Sequence, residues 1–245
     1  MAKRKDRFLR TNFKRMMQAL GLMYIFLFFP VCTLFVSWTE RSGDPLGTET
    51  EMIQSEKTEK PRIALTFDDG PDSTYTPLLL EGLKDRNVKA SFFLIGINIE
   101  KDRNREIVRQ MYEDGHLIGN HTYHHVELAR LSETEARMEI AKTNRLITEI
   151  TGTATEYVRP PFGSFNRNME KETDWIPVMW TVDPLDWQTD NTEEIVNKVV
   201  TDVQENDIIL LHDCYKSSVD AALQIVDRLK EEGFEFVTVD ELLLD

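Results

Sequence analysis

From residue 62 onward, the chain alternates short apolar runs with longer segments in which apolar residues recur every three or four positions. Short runs rich in β-branched and aromatic residues predict strands, and the longer periodic segments predict helices. The predicted strands are Ile63–Phe67, Ala90–Ile95, Leu117–Gly119, Tyr157–Arg159, Val178–Val182, Asp207–Leu211 and Glu235–Val239. The predicted helices are Thr76–Arg86, Asn104–Asp114, Glu133–Thr151, Thr192–Gln204 and Ser218–Glu232.

The order of these elements predicts the fold class. Strands that alternate with helices form βαβ units, and such units build a mostly parallel sheet. Two of the helices begin with capping residues, because Ser132 is followed by Glu135 and Asn191 by Glu194, each three positions later. Seven strands within residues 62–245 predict one α/β domain with a closed or barrel-like sheet rather than two domains.

A different apolar pattern occupies the beginning of the chain. The twenty residues from Ala19 to Trp38 contain no charge, and about twenty apolar residues are what a helix needs to cross a bilayer. Residues 1–18 hold seven basic side chains and one acidic side chain, a bias that places the amino end in the cytoplasm. We therefore expect a basic cytoplasmic segment at 1–18, a single transmembrane helix at 19–38 and an extracellular body held at the cell membrane.

Two alternatives remain open for this apolar segment. A cleaved signal peptide has a shorter apolar region followed by small residues at the cleavage site, a pattern that the sequence around Trp38 lacks. The other alternative is a buried helix of a soluble protein, which the basic flank disfavours. Residues 39–61 are polar, contain Gly and Pro early and show no periodicity, so they predict a flexible stalk before the α/β domain at 62–245.

The charge of the chain limits its partners. The formal net charge is −14, and the residues beyond 1–38 hold 22 basic and 42 acidic side chains, a net of −20. An acidic body disfavours nucleic acid as a partner, because phosphate binding needs a basic surface. The two cysteines, Cys32 and Cys214, lie in different parts of the chain, so the domain has no disulfide framework.

Ionisable side chains follow five of the predicted strands. In chain order, the sequences at these strand ends are TFDDGP, GNHTYHH, RPPFG, VDPLDW and LLHD. The carboxyl ends of parallel strands meet on one side of an α/β sheet, which is where active sites form. Buried acids and histidines are costly unless they are paired or bind a metal. The pattern therefore indicates a catalytic site at this edge of the sheet.

His121 and His125 predict part of a metal site. Residues four apart share a face on one turn of helix, and two imidazoles with one carboxylate form a three-ligand centre that leaves a position for water or substrate. Either Asp68 or Asp69 can supply the carboxylate. The alternative is a pair of surface histidines on a solvated turn, which the two acids disfavour. His124 is interpreted as a neighbour rather than a ligand, although its spacing from His121 allows a role.

The adjacent acids Asp68 and Asp69 can take two different catalytic roles. One carboxylate can bind the metal while the other serves as general base towards the reacting water. Gly70 and Pro71 then turn the chain away from the mouth of the site.

These five motifs, in this order, resemble those of the polysaccharide deacetylase family, also called the NodB homology domain or carbohydrate esterase family four. The resemblance covers roughly residues 62–245 and implies a catalytic domain built as a distorted (β/α) barrel of seven strands. It implies that Asp68 is the general base. It also implies that Asp69, His121 and His125 bind a divalent metal. The expected metal is zinc, and cobalt is the alternative.

The resemblance extends to the residues around these ligands. Arg159 is similar to the arginine that holds the base carboxylate, and His212 is similar to the general acid. Asp183 resembles the carboxylate that orients this acid and raises its pKa. The implied substrate-binding residues are Phe162 through its backbone N–H in the oxyanion hole, and Trp187 and Leu210 around the acetyl methyl group.

Simpler explanations remain for some of these positions. Trp187 packs well in any core, and Asp183 can cap a turn before Pro184. Phe162 stands where tyrosine is usual, and Pro184 stands where serine is common. The family uses the backbone N–H at the position of Phe162, so the change of side chain there does not predict an inactive protein. Pro184 leaves Asp183 and Trp187 in place, so it does not predict inactivity either.

The implied activity is the metal-dependent hydrolysis of acetyl groups on the N-acetylated sugars of an extracellular glycan. The predicted membrane span favours a substrate beside the cell's own membrane, hence peptidoglycan. An O-acetyl esterase acting on a xylan-type polysaccharide is the alternative within the same fold. A catalytically silent glycan-binding protein is a third hypothesis, which the intact Asp68, Asp69 and His212 disfavour.

Overall fold

The computed structural model describes residues 60–101, 103–164 and 175–244. Its strands are β1 (Arg62–Asp68), β2 (Ser91–Leu94), β3 (Leu117–Asn120), β4 (Tyr157–Val158), β5 (Ile176–Pro177), β6 (Ile208–His212) and β7 (Glu235–Val237). Its helices are α1 (Thr76–Asp85), α2 (Gly96–Ile99), α3 (Asn104–Glu113), α4 (Glu133–Thr151), α5 (Thr192–Asp202), α6 (Lys216–Glu231) and α7 (Val239–Leu243). Short 3₁₀ turns cover Leu128–Arg130, Pro161–Gly163 and Asp186–Gln188.

The strands form one parallel sheet in the order β5-β4-β3-β2-β1-β6, and β7 pairs with the first half of β1. Beyond β5 the chain crosses to the opposite edge of the sheet. There Val182 pairs with Ile209 of β6, while Val178 N still donates to Val158 O of β4. The sheet is therefore curled into a half-barrel, and the predicted parallel α/β fold is confirmed.

The central strand β1 separates an apolar face from a partly polar one. Ile63, Leu65 and Phe67 lie in the main hydrophobic core with residues of the surrounding helices, whereas Ala64 lies in a second cluster with Phe93 and Val178. Because side chains alternate along a strand, Thr66 and Asp68 share the face of Ala64. We call this the inner face. Both faces are buried, as is usual for parallel sheets.

Helix α4 matches its predicted bounds at both ends. At the start, the Ser132 side chain accepts from Glu135 N, and the Glu135 side chain accepts from Ser132 N, so the capping box is complete. At the end, Gly152 has a φ of 77°, which suits glycine because it lacks a Cβ. Between them a buried stripe that includes Ile140 and Ile147 packs inward, and each such aliphatic side chain contributes about 1.5–3 kcal/mol. This packing holds α4 beside the strand ends.

The predicted strand Val178–Val182 is wrong in its position. The observed strand β5 is Ile176–Pro177, and the next carbonyls bond to a side chain instead of a neighbouring strand. Val178 O accepts from Arg159 Nε at 3.2 Å, and Met179 O accepts from Arg159 Nη2 at 3.2 Å. The buried guanidinium therefore takes the acceptors that a longer strand would need.

The last predicted strand is also shorter than expected. It ends at Val237, and Val239 begins α7. Thr238 and Glu241 form a capping box at this point, which starts a helix rather than continuing the strand. The short helix α2 was not predicted, because its four residues show no helical periodicity.

The predicted transmembrane helix at 19–38 and the cytoplasmic segment at 1–18 lie outside the described residues, as does all of the predicted stalk except its last two residues. Within the described part of the chain, none of the helices is long and apolar enough to cross a bilayer.

Candidate active site

The carboxyl end of β1 presents two carboxylates to the same cleft. Asp68 lies on the inner face by normal alternation, and the next residue would be expected on the helix-packed face. Asp69 instead has a φ of 70°, a left-handed conformation that aspartate tolerates. As a result, Asp68 Oδ2 lies 3.7 Å and Asp69 Oδ1 lies 3.5 Å from Nε2 of His121. One backbone angle thus brings both acids to one site.

Three donor atoms converge at this point. Asp69 Oδ1, His121 Nε2 and His125 Nε2 lie within 4.8 Å of one another. The carboxylate oxygen is 3.5 Å from His121 Nε2 and 3.3 Å from His125 Nε2. A tetrahedral ion with bonds of about 2.0–2.1 Å separates its ligands by roughly 3.3 Å. Asp69 Oδ1 is buried and has no hydrogen-bond partner among the described residues, so the set fits a divalent metal.

The surroundings of both histidines suit this role. His121 Nδ1 lies 2.7 Å from Arg159 O, and since a carbonyl only accepts, Nδ1 is the donor and Nε2 is the ring nitrogen that faces Asp69. Burial lowers the pKa of His125, against the attraction of Asp69. A neutral ring is the form that binds metals.

The two histidines reach Asp69 by a route other than the expected helical turn. Residues 121–126 contain no helix, and both Thr122 and His125 have positive φ values, 67° and 57°. The Thr122 N–H donates to Asn120 Oδ1 at 2.8 Å, which replaces a helical hydrogen bond. The prediction of a shared helix face is therefore wrong, although the two rings still meet with centroids 5.0 Å apart.

Arg159 is fully buried and holds Asp68, as the resemblance implied. Its Nη1 donates to Asp68 Oδ1 at 2.9 Å and to Thr66 Oγ1 at 2.7 Å. The guanidinium carbon also lies 4.2 Å from the centroid of the Phe93 ring. These contacts rule out an ordinary surface arginine. Removing one partner of such a buried pair costs about 3–5 kcal/mol, because the other charge is left unpaired.

The carboxylate that orients His212 is Asp186, and the assignment of Asp183 is wrong. Asp186 Oδ1 lies 2.8 Å from His212 Nδ1, and its Oδ2 accepts from His212 N at 2.8 Å. Asp183 Oδ1 instead accepts from Leu185 N at 2.9 Å, so it caps the local turn. A left-handed residue, Leu185 with a φ of 59°, reverses the chain between the two acids. Both belong to the motif VDPLDW, which does not reveal which one faces β6.

Asp186 changes the acidity of His212. Burial by itself lowers the pKa of this imidazole, but the hydrogen bond and charge of Asp186, with Asp68 and Asp69, raise it to about 9. Since Nδ1 donates to Asp186, the proton on Nε2 faces the cleft, where Nε2 lies 4.0 Å from Asp69 Oδ2. His212 can therefore act as an acid at neutral pH.

The expected substrate-binding residues occupy different surroundings. Phe162 has a φ of 62° and is 68% exposed as a residue, and its ring meets the His125 ring edge-on with centroids 4.8 Å apart. Its N–H donates to none of the described residues. Trp187 is 53% exposed, which argues against a plain core role, whereas Leu210 is buried. Their contact with an acetyl group stays a prediction.

Several supporting residues were not predicted. Asn98 Nδ2 donates to Asp69 O at 2.7 Å, and Asn104 Nδ2 donates to Pro71 O at 2.9 Å. Asp213 accepts from Thr76 Oγ1 at 2.6 Å, and its carboxylate would lie 2.5 Å from any Cβ at position 70, which explains the glycine there. These side chains come from three helices and from the turn after β6, so no local pattern links them.

A cavity of about 340 Å³ adjoins the metal-ligand set and reaches Cys214. Burial raises the pKa of this thiol to about 12, with a further contribution from Asp213. A thiolate is the nucleophilic form of cysteine, and burial disfavours that form at Cys214.

Comparisons with known proteins agree with this geometry. A family model described as polysaccharide deacetylase matches residues 55–178. A peptidoglycan-N-acetylglucosamine deacetylase of Bacillus cereus is 41% identical over 190 residues, which cover 75% of this chain and 68% of that protein. Peptidoglycan-N-acetylglucosamine deacetylase PgdA of Listeria monocytogenes is 36% identical over 198 residues, which cover 81% of this chain and only 42% of that longer protein.

A solved structure matches as well. The family 4 acetyl xylan esterase from Clostridium thermocellum, in complex with a cobalt ion, has a TM-score of 0.70 at 35% identity. The match covers 75% of this chain and 90% of that chain. At this identity and coverage, the similarity extends to the sequence as well as the fold.

Proposed function

Because this chain belongs to the polysaccharide deacetylase family, we propose that it hydrolyses acetyl groups from the N-acetylated sugars of an extracellular glycan, with peptidoglycan as the substrate. The observation that supports this most directly is that Asp68, bound by Arg159, and His212, bound by Asp186, lie beside one metal-ligand set. Asp68 and His212 are aligned on neighbouring strands β1 and β6. A base and an acid are the two groups that amide hydrolysis needs.

Asp69, His121 and His125 would hold the metal, which we propose to be zinc, with cobalt as the alternative. When bound, such an ion supplies a Lewis acid that polarises the acetyl carbonyl and makes water more acidic. Asp69 Oδ1 and the two Nε2 atoms are the donors. Nitrogen and carboxylate oxygen ligands of this kind suit either ion.

Asp68 acts as the general base. Arg159 binds its Oδ1 at 2.9 Å, which fixes the carboxylate and leaves Oδ2 directed towards the ligand set, 3.7 Å from His121 Nε2. This oxygen takes a proton from water as the water oxygen bonds to the acetyl carbon. Because the carboxylate is held by a buried guanidinium, it needs no rearrangement before the proton moves.

His212 acts as the general acid. The bond between the acetyl carbon and the sugar nitrogen breaks only when the nitrogen receives a proton, because an amine anion is a very poor leaving group. The proton on His212 Nε2 serves this purpose, and Asp186 holds the ring at Nδ1. The products are acetate and the free amino sugar, so one water is consumed for each bond broken.

The remaining residues bind the acetyl group. The Phe162 N–H is proposed to donate to the carbonyl oxygen as negative charge develops there, an interaction worth about 3 kcal/mol in other enzymes. Trp187 and Leu210 are proposed to enclose the methyl group. The Phe162 ring contacts the His125 ring edge-on, and the Phe162 N–H donates to none of the described residues, so it is available for this role.

An O-acetyl esterase is the second candidate, because a related protein is named an acetyl xylan esterase. An ester has a better leaving group than an amide, so the same residues could hydrolyse either bond. Asp186 raises the pKa of His212 to about 9, so the imidazole keeps its proton at neutral pH. A retained proton favours the amide, whose leaving group needs it more.

The test is hydrolysis of matched substrates by the full-length protein. We expect acetate release from peptidoglycan and from N-acetylated chito-oligomers to exceed release from acetylated xylan, and mass spectrometry should locate free amino sugars in the peptidoglycan. Chelation should abolish the activity and zinc should restore it. Replacing His121 with alanine should remove both bound metal and activity, whereas His124→Ala is the matched control. Full metal content in His121→Ala would refute the proposed metal site. A preference for acetylated xylan would refute the proposed N-acetylated substrate.

We further propose that the chain is anchored in the cell membrane by a single helix at residues 19–38, with the enzyme domain outside. The proposal is supported by the uncharged segment Ala19 to Trp38 and its basic flank. Protease treatment of intact cells should remove the domain, and the chain should fractionate with membranes. Recovery of a soluble mature form that begins near Thr39 would contradict the anchor and support a cleaved signal peptide.

A further inference from the structure

The loop that carries both histidine ligands has no secondary structure of its own. We call residues 121–126 the ligand loop. Two of its residues, Thr122 and His125, have left-handed backbones, which is costly for a β-branched side chain such as threonine. A strained conformation of this kind persists only where the surrounding structure holds it. The hydrogen bonds of the loop therefore show what determines the positions of the ligands.

Five backbone N–H groups of the ligand loop bond to a neighbouring strand or to side chains, and none of these five bonds is a helical backbone bond within the loop. His121 N donates to Leu94 O at 2.9 Å, Thr122 N donates to Asn120 Oδ1 at 2.8 Å, and Val126 N donates to Thr122 Oγ1 at 3.3 Å. The two central donors, Tyr123 N and His124 N, both bond to a single oxygen of Glu139. That oxygen, Oε2, accepts them at 3.2 Å and 2.9 Å.

Glu139 is well placed for this task because it comes from α4, whose position is set by its buried stripe and its capping box. Its side chain is only 13% exposed. The second oxygen, Oε1, lies 2.8 Å from His124 Nδ1, but that imidazole is 46% exposed. Exposed ion pairs contribute little, whereas two backbone N–H groups without a helical partner need an acceptor, and Oε2 supplies it.

We propose that Glu139 is a positioning residue for the metal centre and acts through the backbone of Tyr123 and His124. Its carboxylate holds the ligand loop in the non-helical path that directs His121 Nε2 and His125 Nε2 towards Asp69. The inference rests on the proposed metal centre. It predicts that the acceptor oxygen of residue 139, rather than its charge or its contact with the His124 ring, sets metal affinity.

The test measures the zinc dissociation constant of the full chain, stripped of metal, by competition with a chromophoric chelator. Glu139→Met keeps the length of the side chain and removes both acceptors, and it should weaken zinc binding by about 10- to 100-fold, the usual effect of losing a group that orients metal ligands. Glu139→Gln retains one oxygen that can accept both backbone donors, and its affinity should stay within about threefold of the native value. His124→Ala should also stay within about threefold.

Glu149→Ala is the matched control, because it removes an acid from the same helix whose ion pairs, among the described residues, are with the surface side chains Arg105 and Arg145. Zinc affinity in Glu139→Met equal to that of the native chain would overturn the proposal. Equal weakening in Glu139→Gln would show that charge rather than the acceptor matters, and equal weakening in His124→Ala would assign the effect to the ring.

Should Glu139→Met fail to fold, Glu139→Asp provides the comparison, because it keeps the charge but is too short to reach both donors. Native affinity in that variant would also overturn the proposal. If the native chain binds no zinc, the proposed metal centre fails first, so the two failures are distinguishable.

Discussion

Replacing Asp68 with asparagine is expected to lower kcat/KM for an N-acetylated glycan by about 10²- to 10⁴-fold, the usual contribution of a general base. Asparagine keeps an oxygen that can accept from Arg159, which now binds Asp68 Oδ1 at 2.9 Å. The buried guanidinium therefore keeps a hydrogen-bond partner. The amide cannot take a proton from water, so the chemical step should slow while substrate binding changes little.

Three measurements make this result specific. Metal content should remain near that of the native chain, because the donors are Asp69, His121 and His125. Asp85→Asn, an exposed substitution at the end of α1, serves as the control for loss of one carboxylate. Asp68→Ala should be less stable than Asp68→Asn, since it leaves Arg159 without its charged partner. Activity within a few-fold of native in Asp68→Asn would remove Asp68 from the role of base.

Replacing His212 with glutamine is expected to lower hydrolysis of an acetamide by more than ~10²-fold and hydrolysis of an activated acetate ester by less than ~10-fold. The amine leaving group of the acetamide needs a proton, whereas a nitrophenolate leaves without one. The two substrates share the acetyl group, so their comparison separates proton donation from binding. Equal losses on both substrates would show that His212 positions the acetyl group and does not act as an acid.

The pH dependence of the native chain and of Asp186→Asn tests the same role. With its pKa raised to about 9, His212 stays protonated through neutral pH, and kcat/KM should fall as the pH rises through that pKa. Asparagine at position 186 removes the charge that raises the pKa, while burial continues to lower it, so the alkaline decline should move to lower pH. Asp183→Asn is the matched control in the same motif, because Asp183 accepts from Leu185 N in the local turn and, in the described part of the chain, makes no contact with His212. A shift in Asp183→Asn and none in Asp186→Asn would restore the assignment made from the sequence.

Local chemistry determined much of this protein. The alternation of strands and helices predicted a parallel α/β sheet, because hydrophobic periodicity depends on neighbouring residues along one element. The start of α4 followed from Ser132 and Glu135, whose capping chemistry is also local. The strand ends DD, HTYHH and LLH placed the acids and histidines at one edge, since parallel strands all end on the same side.

The tertiary structure decided how those side chains meet. The left-handed angle at Asp69 puts both acids in one cleft against strand alternation, and Leu185 turns Asp186, not Asp183, towards His212. Arg159 takes the carbonyls of Val178 and Met179, which shortens β5. Glu139, fourteen residues beyond His125, holds the ligand loop. Each of these outcomes depends on a contact with another element or on one backbone angle. Contacts and angles of this kind produce no periodic pattern in the sequence, so they could not be predicted from it.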